Sequence, residues 1–490
     1  MLHRSIRPLL LLCAALLATT AHAAGIVLTL DDAIRLALEN NQRIKVSAYG
    51  PQIGRANVLE QYGAFDPTLN FNRSFTETAT PGAITPPATR PLTQTDDYSL
   101  TLGGLLPWGL TYSIGTTAEN LRGTFNSFAD NYATFGGVTV TQPLLRGFGF
   151  GANLANLRIA KANRGISDWQ HRQTVIDTVT SVILVYNNLQ EARESVRIAR
   201  LARDNAAQLL AENEKRHRVG SISDADVTQA QSQVANREES ILYAERSVHD
   251  TENQLRELIG VANYPVDGPP LDTAVLAPAP DVTVDATADL KVAYDLRPDY
   301  QAARLGVTVN RASYASAQNQ LLPRVDFVGS YGYGGLDPNF AAARTQVRNE
   351  DARAYSVGVV VSVPLTFAQG RGRARAAKLT LRQSEADLAR LEQDIALSVA
   401  AAAGQIETTK QRVAATRLAF DLEQQVLNNE QKKFKAGTSS TFFVLQEQQN
   451  LALVQNDYAH ALADQRRALA NYDREIGRTL DRYHLSVAKN

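Results

Sequence analysis

The longest regular pattern in the sequence is helical, and it occurs twice. Residues 153–219 and 374–436 contain no proline and a single interior glycine each, Gly165 and Gly404. Both stretches are rich in Ala, Gln, Arg, Glu and Leu, which favour helix. In the second stretch the apolar positions alternate steps of four and three residues, which is a heptad seam; Arg193 interrupts the matching seam of the first. The seam positions are 395, 399, 402, 406, 409, 413, 416 and 420. The pattern predicts two long helices.

Each long helix is followed by a glycine and a second helical segment. Gly220 precedes a helical pattern over about 223–259, and Gly437 precedes one over about 440–476. A glycine adopts the left-handed conformation that ends a helix, and a following Ser or Thr caps the next one. The sequence therefore predicts two helical hairpins, at 153–259 with a tip near residue 220 and at 374–476 with a tip near residue 437.

Other segments alternate apolar and polar residues with a period of two, which indicates strands. Leu69, Phe71 and Phe75 alternate with polar residues in one of them, and valines alternate with Ser and Gly around Val359 in another. Strands that meet lipid on one side and water on the other have this pattern, as do half-buried strands of soluble sheets. The predicted strands are about 67–76, 97–105, 109–118, 132–142, 324–333 and 354–363.

The two halves repeat one another in the same order. Ile34 and Leu290 lie in matching helical patterns at an offset of 290 − 34 = 256, and Pro67 and Pro323 precede matching strands at the same offset. Later landmarks match at smaller offsets, as in 364 − 143 = 221 for two prolines. The difference, 256 − 221 = 35, places an inserted strand pair in the first half. We expect repeats at 24–259 and 286–476, with strands within 67–142 and 324–363, a proline-rich linker at 260–285 and a polar tail at 477–490.

Residues 1–23 have the pattern of a secretory signal peptide, with a basic start, an apolar core and Ala21-His22-Ala23 as the cleavage site. Its removal takes away Arg4 and Arg7, leaving 50 − 2 = 48 basic residues against 50 acidic ones. The only cysteine, Cys13, and the only methionine lie in this segment. Leu12 disfavours lipidation of Cys13, because a lipidation site has a small residue before the cysteine. Later apolar runs fall short of the roughly 18 residues of a transmembrane helix.

Composition and motifs exclude several classes of function. A near-neutral charge gives no footprint for nucleic acid, and a mature chain without cysteine has no disulfides, catalytic thiolate or sulfur-ligated metal. The mature histidines have no metal-ligand spacing, and we expect them on solvated helix surfaces. They are His171, His217, His249, His460 and His484. The glycine-rich segment 147–151 lacks nucleotide-loop spacing and indicates a flexible strand-to-helix hinge. We therefore predict no catalytic site, cofactor or metal.

A duplicated unit of strand pair and helical hairpin behind a signal peptide resembles the TolC-like outer-membrane efflux protein family. The most specific motifs are Leu28-Thr29-Leu30-Asp31-Asp32-Ala33, Gln142-Pro143-Leu144-Leu145-Arg146-Gly147, Arg218-Val219-Gly220 and Phe434-Lys435-Ala436-Gly437-Thr438. The resemblance implies an α+β membrane protein: a homotrimer whose transmembrane β-barrel in outer-membrane lipid continues as a long α-helical coiled-coil periplasmic tunnel. It also implies a passive exit duct for efflux or type I secretion.

The same resemblance implies partners and site residues. The partners are a periplasmic adaptor (membrane fusion) protein and an inner-membrane transporter. The adaptor-docking tips match Val219, Gly220, Ser221, Gly437 and Thr438. Asp226 matches an acidic gate position, and Asp224 adds a second carboxylate. Ser439, Phe443 and Gln446 stand where the family has charged gate residues, so an apolar constriction by Phe442 or Phe443 is expected instead. The alternative is that these two phenylalanines pack between helices.

The inserted strand pair and the helical hairpins each allow a second interpretation. The inserted strand pair predicts six strands per chain and 3 × 6 = 18 in a trimer, whereas twelve are usual in the family; the alternative is that the insertion forms a loop or a hairpin outside the barrel. A periplasmic coiled-coil adaptor or structural protein is the other function that the helical hairpins allow. An adaptor has one hairpin inserted into compact β domains, whereas this sequence predicts two hairpins and several strands. The sequence does not indicate the substrate.

Overall fold

The computed structural model describes residues 26–81, 91–260 and 270–486. The predicted signal peptide lies outside these ranges, as does most of the proline-rich part of the linker. The helices are α1 (Leu30–Asn40), α2 (Gln42–Ser47), α3 (Tyr49–Tyr62), α4 (Phe150–Asn153), α5 (Ala155–Arg218), α6 (Asp224–Ile259), α7 (Ala286–Leu296), α8 (Pro298–Asn319), α9 (Phe340–Arg348), α10 (Ala368–Lys435), α11 (Thr441–Glu475) and α12 (Thr479–Arg482). The strands are β1 (Ile26–Leu28), β2 (Thr68–Ala79), β3 (Leu92–Leu105), β4 (Thr111–Gly123), β5 (Tyr132–Pro143), β6 (Leu271–Thr273), β7 (Arg324–Asp337) and β8 (Ala352–Ser362).

Six strands form one antiparallel sheet in the order β2-β3-β4-β5-β7-β8. Within the described residues the six predicted strands therefore lie in one sheet, and the inserted hairpin pairs inside this sheet rather than forming a loop. Helical segments precede β2 and β7 and follow β5 and β8 at one end of the sheet, whereas α9 lies between β7 and β8 at the other end. The connections β4–β5 and β7–β8 lie at the other end, which we call the distal end.

The register gives the sheet one apolar and one polar face. Leu69 pairs with Leu102, Leu102 with Ile114, and Ile114 with Val138, so these side chains share a face. On β8 the alternate residues Val357, Val359 and Val361 belong to the same face, which we call the apolar face. The other face carries mainly Thr, Ser, Asn and Gly. This is the alternation that the sequence predicted.

The glycine-rich segment after β5 is held by hydrogen bonds. The Asn153 Nδ2 atom donates to the carbonyl oxygens of Gly147 and Gly149 at 2.7 and 2.9 Å. The Gly147 amide donates to Asn319 Oδ1 at 2.7 Å, and the Gly149 amide donates to the Trp108 carbonyl at 2.9 Å. The segment is therefore a hydrogen-bonded turn in which Gly147 and Gly149 provide positive φ, +86° and +87°, and its flexibility stays a prediction.

The described residues group into two compact units, each drawn from both halves of the sequence. The first contains 26–41, 179–260, 270–281 and 406–470. Its two apolar clusters lie among α5, α10 and α11, one around Ile198 and Leu462 and the other around Leu209 and Phe434. Thus the helical hairpins of the two repeats share a core, and the repeat boundaries themselves stay a prediction.

Arg193, which interrupts the heptad seam, anchors the linker in this first unit. Its guanidinium bonds Glu252 of α6 at 2.9 Å and Asp272 of β6 at 2.7 Å, and also donates to the Leu271 carbonyl. The strand β6 pairs in parallel with β1, so this part of the linker is regular structure rather than a loop.

The second unit contains 42–81, 91–178, 282–405 and 471–486, and includes the six-stranded sheet. The start of the predicted polar tail is packed, since Thr479 and Leu480 of α12 are buried. Arg482 of the same helix binds Asp473 at 2.8 Å. His171 differs from its prediction: its Nδ1 lies 2.7 Å from Ser47 Oγ, and burial lowers its pKa, so it is not a solvated surface histidine.

Candidate adaptor-docking tips and gate

The two predicted tips are turns of identical geometry. At the first, α5 ends at Arg218, the Gly220 amide donates to the His217 carbonyl at 2.8 Å, and the Ser221 amide donates to the Arg216 carbonyl at 2.9 Å. This pair of bonds is the Schellman motif, and Gly220 has the required positive φ of +73°. The exposed Val219 precedes it.

The second tip repeats the motif after α10. The Gly437 amide donates to the Phe434 carbonyl at 3.1 Å, and the Thr438 amide donates to the Lys433 carbonyl at 2.9 Å. Gly437 has a φ of +77°, and a Cβ added at Gly220 or Gly437 would have no heavy atom of the described residues within 4 Å, apart from its two chain neighbours. Both glycines are therefore required by backbone conformation alone, and the surface above them is open.

Buried polar contacts join the two hairpins just below the tips. Asn213 of α5 is fully buried, and its Nδ2 atom donates to Thr441 Oγ1 of α11 at 3.2 Å and to the Asp226 carbonyl of α6 at 3.4 Å. Arg216 lies over the Phe434 ring at 4.3 Å and donates to the Phe434 carbonyl at 3.1 Å. We call these residues, Asn213, Thr441, Arg216 and Phe434, the tip clamp.

Sequence reasoning did not assign a role to the tip clamp. Asn213 and Arg216 lie in the last turns of a long helical stretch, where most residues are polar and one Asn or Arg looks like its neighbours. The available signal was the position of both residues within two turns of the predicted tip, where a helix end has free backbone groups.

The two acidic gate candidates have local partners in this chain. Asp226 forms a capping box with Ser223: its backbone amide donates to Ser223 Oγ at 3.3 Å, and its Oδ2 accepts from the Ser223 amide at 3.2 Å. Asp224 is exposed and lies 3.2 Å from His217 Nε2. Both carboxylates therefore also stabilise the start of α6, where they complement the positive end of the helix dipole.

Phe442 and Phe443 begin α11 as a pair of exposed rings. Their centroids are 5.6 Å apart at 75°, an edge-to-face contact. The two side chains are 53% and 54% exposed, whereas the next two residues, Val444 and Leu445, are buried in the core below the tips. Among the described residues the two rings are therefore not packed between helices, and about half of each side chain is accessible.

Further observations limit the chemistry of the described residues. In 26–81, 91–260 and 270–486, no group of His, Cys, Asp or Glu is arranged to hold a metal ion. No helix in the same ranges combines the length and apolarity that a membrane crossing requires.

Comparison with known proteins identifies the family. The model of the outer membrane efflux protein family matches residues 33–261 and 290–478, which is most of the chain. This chain belongs to the outer membrane efflux protein family. The match has two blocks, as the duplication predicts, and the predicted resemblance and outer-membrane location are confirmed.

Two curated relatives match this chain at low sequence identity. The pyoverdine export outer membrane protein OpmQ of Pseudomonas putida KT2440 is 26% identical over 323 residues, which is 62% of this chain and 63% of the relative. OpmQ of Pseudomonas aeruginosa PAO1 is 26% identical over 328 residues, or 63% and 62% of the two chains. The matched region therefore spans less than two thirds of either relative.

Solved structures of outer-membrane channels share the fold. The channel OprN aligns with a TM-score of 0.68 at 16% identity, over 91% of this chain and 89% of its own. CmeC of Campylobacter jejuni gives 0.67 at 13% identity, over 92% and 86%. VceC of Vibrio cholerae gives 0.66 at 17% identity, over 91% and 96%. The predicted α+β fold class is confirmed.

Proposed function

We propose that this chain is the outer-membrane exit duct of a tripartite efflux or type I secretion system. In this role it conducts substrates passively from an inner-membrane transporter and a periplasmic adaptor to the exterior. The observation that carries the proposal is the six-stranded sheet with one apolar and one polar face, attached at one end to two long helical hairpins.

The two edge strands of this sheet need pairing partners, which other copies of the chain would supply. Within the described residues, β2 and β8 each pair on one side only. Open strand edges are not tolerated in lipid, and a sheet of six strands is too small to enclose an open lumen. Since the strands alternate in direction, β8 of one copy would lie antiparallel to β2 of the next. In a closed ring of identical chains, every edge strand has a hydrogen-bonded neighbour.

A homotrimer, as the family resemblance implies, would have 3 × 6 = 18 strands. With a strand spacing of about 4.8 Å and a tilt of about 40°, an 18-stranded barrel has a backbone radius of about 18 Å, against about 12 Å for twelve strands. The apolar face would meet lipid, and the Thr- and Ser-rich face would line the lumen.

The tips supply the adaptor site of this proposal. Val219, Gly220 and Ser221 at one tip and Gly437 and Thr438 at the other present open main chain and small side chains. Asp224 and Asp226, with Phe442 and Phe443, remain the gate candidates, and the exposure of the two rings favours an apolar constriction. No enzymatic activity is part of the proposal.

The relatives suggest a first cargo. Two of them are named for pyoverdine export, so pyoverdine export is the first transport assay for this chain. A passive duct takes its specificity mainly from its transporter, which makes the co-purified adaptor and transporter the more informative finding.

Membrane extraction and mass measurement test the duct directly. We expect the full chain in detergent extracts of outer membranes as a trimer, with six strands per subunit in a density map and channel currents in planar bilayers. Recovery as a soluble periplasmic monomer would instead support the alternative, a periplasmic coiled-coil adaptor or structural protein.

A further inference from the structure

The helix α9 packs on the sheet near its distal end. The Phe340 ring lies 5.6 Å from the Tyr132 ring of β5, and the carbonyl oxygen of the fully buried Ala343 accepts from Thr134 Oγ1 at 3.1 Å. Two glycines make room for the helix. A Cβ at Gly335 would lie 2.1 Å from the Ala343 oxygen, and one at Gly136 would lie 2.8 Å from Val347 Cγ1. The sheet is therefore shaped to hold α9.

The register places α9 on the apolar face. Tyr132, Thr134 and Gly136 alternate along β5 with the same parity as Val138 and Val140, which lie beside Ile114 and Tyr112. The helix thus covers the distal continuation of the surface that would meet lipid. Its contacts with β5 advance from residue 132 to residue 136, so α9 runs from the rim toward the apolar band.

The side chains of α9 that do not contact the sheet are polar. Arg344, Thr345 and Arg348 are exposed, and such a helix is not stable inside hydrocarbon. Tyr331, Tyr333 and Tyr355 lie together on the adjoining part of the same face, where aromatic residues mark a membrane–water interface. The helix therefore belongs at the level of the lipid headgroups in the outer leaflet.

Three arginines at this level have no acidic partner. Arg344 and Arg348 are one helical turn apart, and in the described part of the chain no carboxylate lies within ion-pair distance of either. Arg353 of β8 shares the apolar face, with its guanidinium 5.9 Å from the Tyr355 ring.

Two of the three acids on these connections are engaged locally. Asp337 accepts from the Asn339 amide at 2.8 Å, and Glu350 is hydrogen-bonded to the Tyr333 hydroxyl. Asp351 is exposed beside β8. The unpaired charge on the helix itself is therefore positive, and it is carried by guanidinium groups, which form bidentate bonds with phosphate.

We propose that Arg344, Arg348 and Arg353 bind the phosphate groups of lipopolysaccharide in the outer leaflet. The inference rests on the proposed outer-membrane duct, because only that leaflet presents a phosphorylated saccharide lipid at the distal end. The site would fix the height of the barrel in the membrane and hold a lipid against α9.

The test uses the full-length protein in detergent with three probes: lipopolysaccharide, the same lipopolysaccharide after removal of its phosphates, and phosphatidylglycerol vesicles. The variant R344Q/R348Q/R353Q is compared with R373Q/R375Q/R382Q, which removes the same charge from exposed arginines of α10. We expect lipopolysaccharide binding to fall at least tenfold in the first variant and to stay unchanged in the second. Removal of the phosphates should weaken wild-type binding by a similar factor.

Three outcomes would overturn this proposal: equal binding by the α9 variant and the wild type, equal losses in both variants, or equal wild-type binding to phosphatidylglycerol. The oligomeric state separates these failures from failure of the duct itself. A membrane-extracted trimer that does not bind lipopolysaccharide refutes the lipid site alone, whereas a soluble monomer refutes the proposed function.

Discussion

Arg216 lies across the Phe434 ring, with its guanidinium carbon 4.3 Å from the ring centroid, while its Nη1 donates to the Phe434 carbonyl at 3.1 Å. The two residues are 218 positions apart in the sequence; Arg216 lies four residues before Gly220, and Phe434 lies three residues before Gly437. This contact fixes the end of α5 to the end of α10. Any movement that separates the two tips must break it.

Replacement of Arg216 by Met should loosen the tips. The variant loses a cation–π contact and a charged hydrogen bond, which together contribute about 2–4 kcal/mol, and also the ion pair with Glu212 within α5. We expect faster hydrogen exchange in the last two turns of α5 and α10. The control is Arg218→Met, an exposed arginine two residues along; equal exchange in both variants would contradict a specific role of Arg216.

A double-mutant cycle can measure the coupling between Asn213 and Thr441 of the tip clamp. Thr441→Val leaves the buried Asn213 amide without its side-chain partner, and we expect a loss of about 1–2 kcal/mol. Combined with Asn213→Ala, the loss should be smaller than the sum by about 1 kcal/mol. Thr228→Val, which removes an exposed hydroxyl bonded only within its own helix, is the matched control. Additive effects in chemical denaturation would show that the pair is not coupled.

Substitutions at Gly220 and Gly437 can distinguish an effect on folding from an effect on adaptor docking. Gly220→Asp or Gly437→Asp adds a side chain where the chain leaves open space, so the folding cost is only that of the positive φ, about 1 kcal/mol. We expect trimers in the membrane and loss of transport. Gly220→Ala and Gly437→Ala share the backbone cost without the charge and should retain more transport. Normal transport by the Asp variants, or their absence from the membrane, would count against adaptor docking.

The exposed ring of Phe443 tests the apolar constriction. Phe443→Ala should raise the closed-state conductance in planar bilayers several-fold, because the truncated side chain no longer narrows the opening or repels water. Leu453→Ala, a truncation of another exposed side chain on α11, should leave conductance unchanged. An unaltered closed state in Phe443→Ala would argue against a gate at this position, and the same measurement on Phe442→Ala distinguishes the two rings.

Glu423 gives a pH-dependent prediction. Its Oε1 atom is buried without a hydrogen-bond partner, and burial, followed by the neighbouring Glu447, raises its pKa above 4.5. Because the pKa of this carboxyl is raised on folding, its contribution to the free energy of unfolding is fully present below pH 4.5. That contribution is lost as the pH rises through the folded-state pKa. Glu423→Gln should therefore raise the melting temperature at pH 8, and the gain should vanish near pH 4.5.

The control for this prediction is the exposed Glu238, whose change to Gln should have little effect at either pH. A gain in melting temperature that is the same at both pH values would show that the effect of Glu423→Gln is not protonation.

Local pattern was enough to predict the helices and the tips. The heptad seam, the absence of proline and the positions of Gly220 and Gly437 predicted helical hairpins that the structure contains, with ends within a few residues except that α10 begins at Ala368. These features are encoded by neighbours in sequence, since helix periodicity and a left-handed glycine depend on adjacent residues alone. The helix α9, by contrast, was not predicted, because nine residues between two strands show too little periodicity.

The sequence by itself indicated the repeated unit and the alternation of the strands, and the size of its insertion predicted six strands without excluding a loop. Only the tertiary structure decided where the insertion pairs, that Arg193 anchors the linker, and that Asn213 meets Thr441 across 228 positions. The reason is physical. Local spacing fixes which face of an element is apolar, but the partner of a polar side chain depends on register and packing between distant segments, and no local pattern records these.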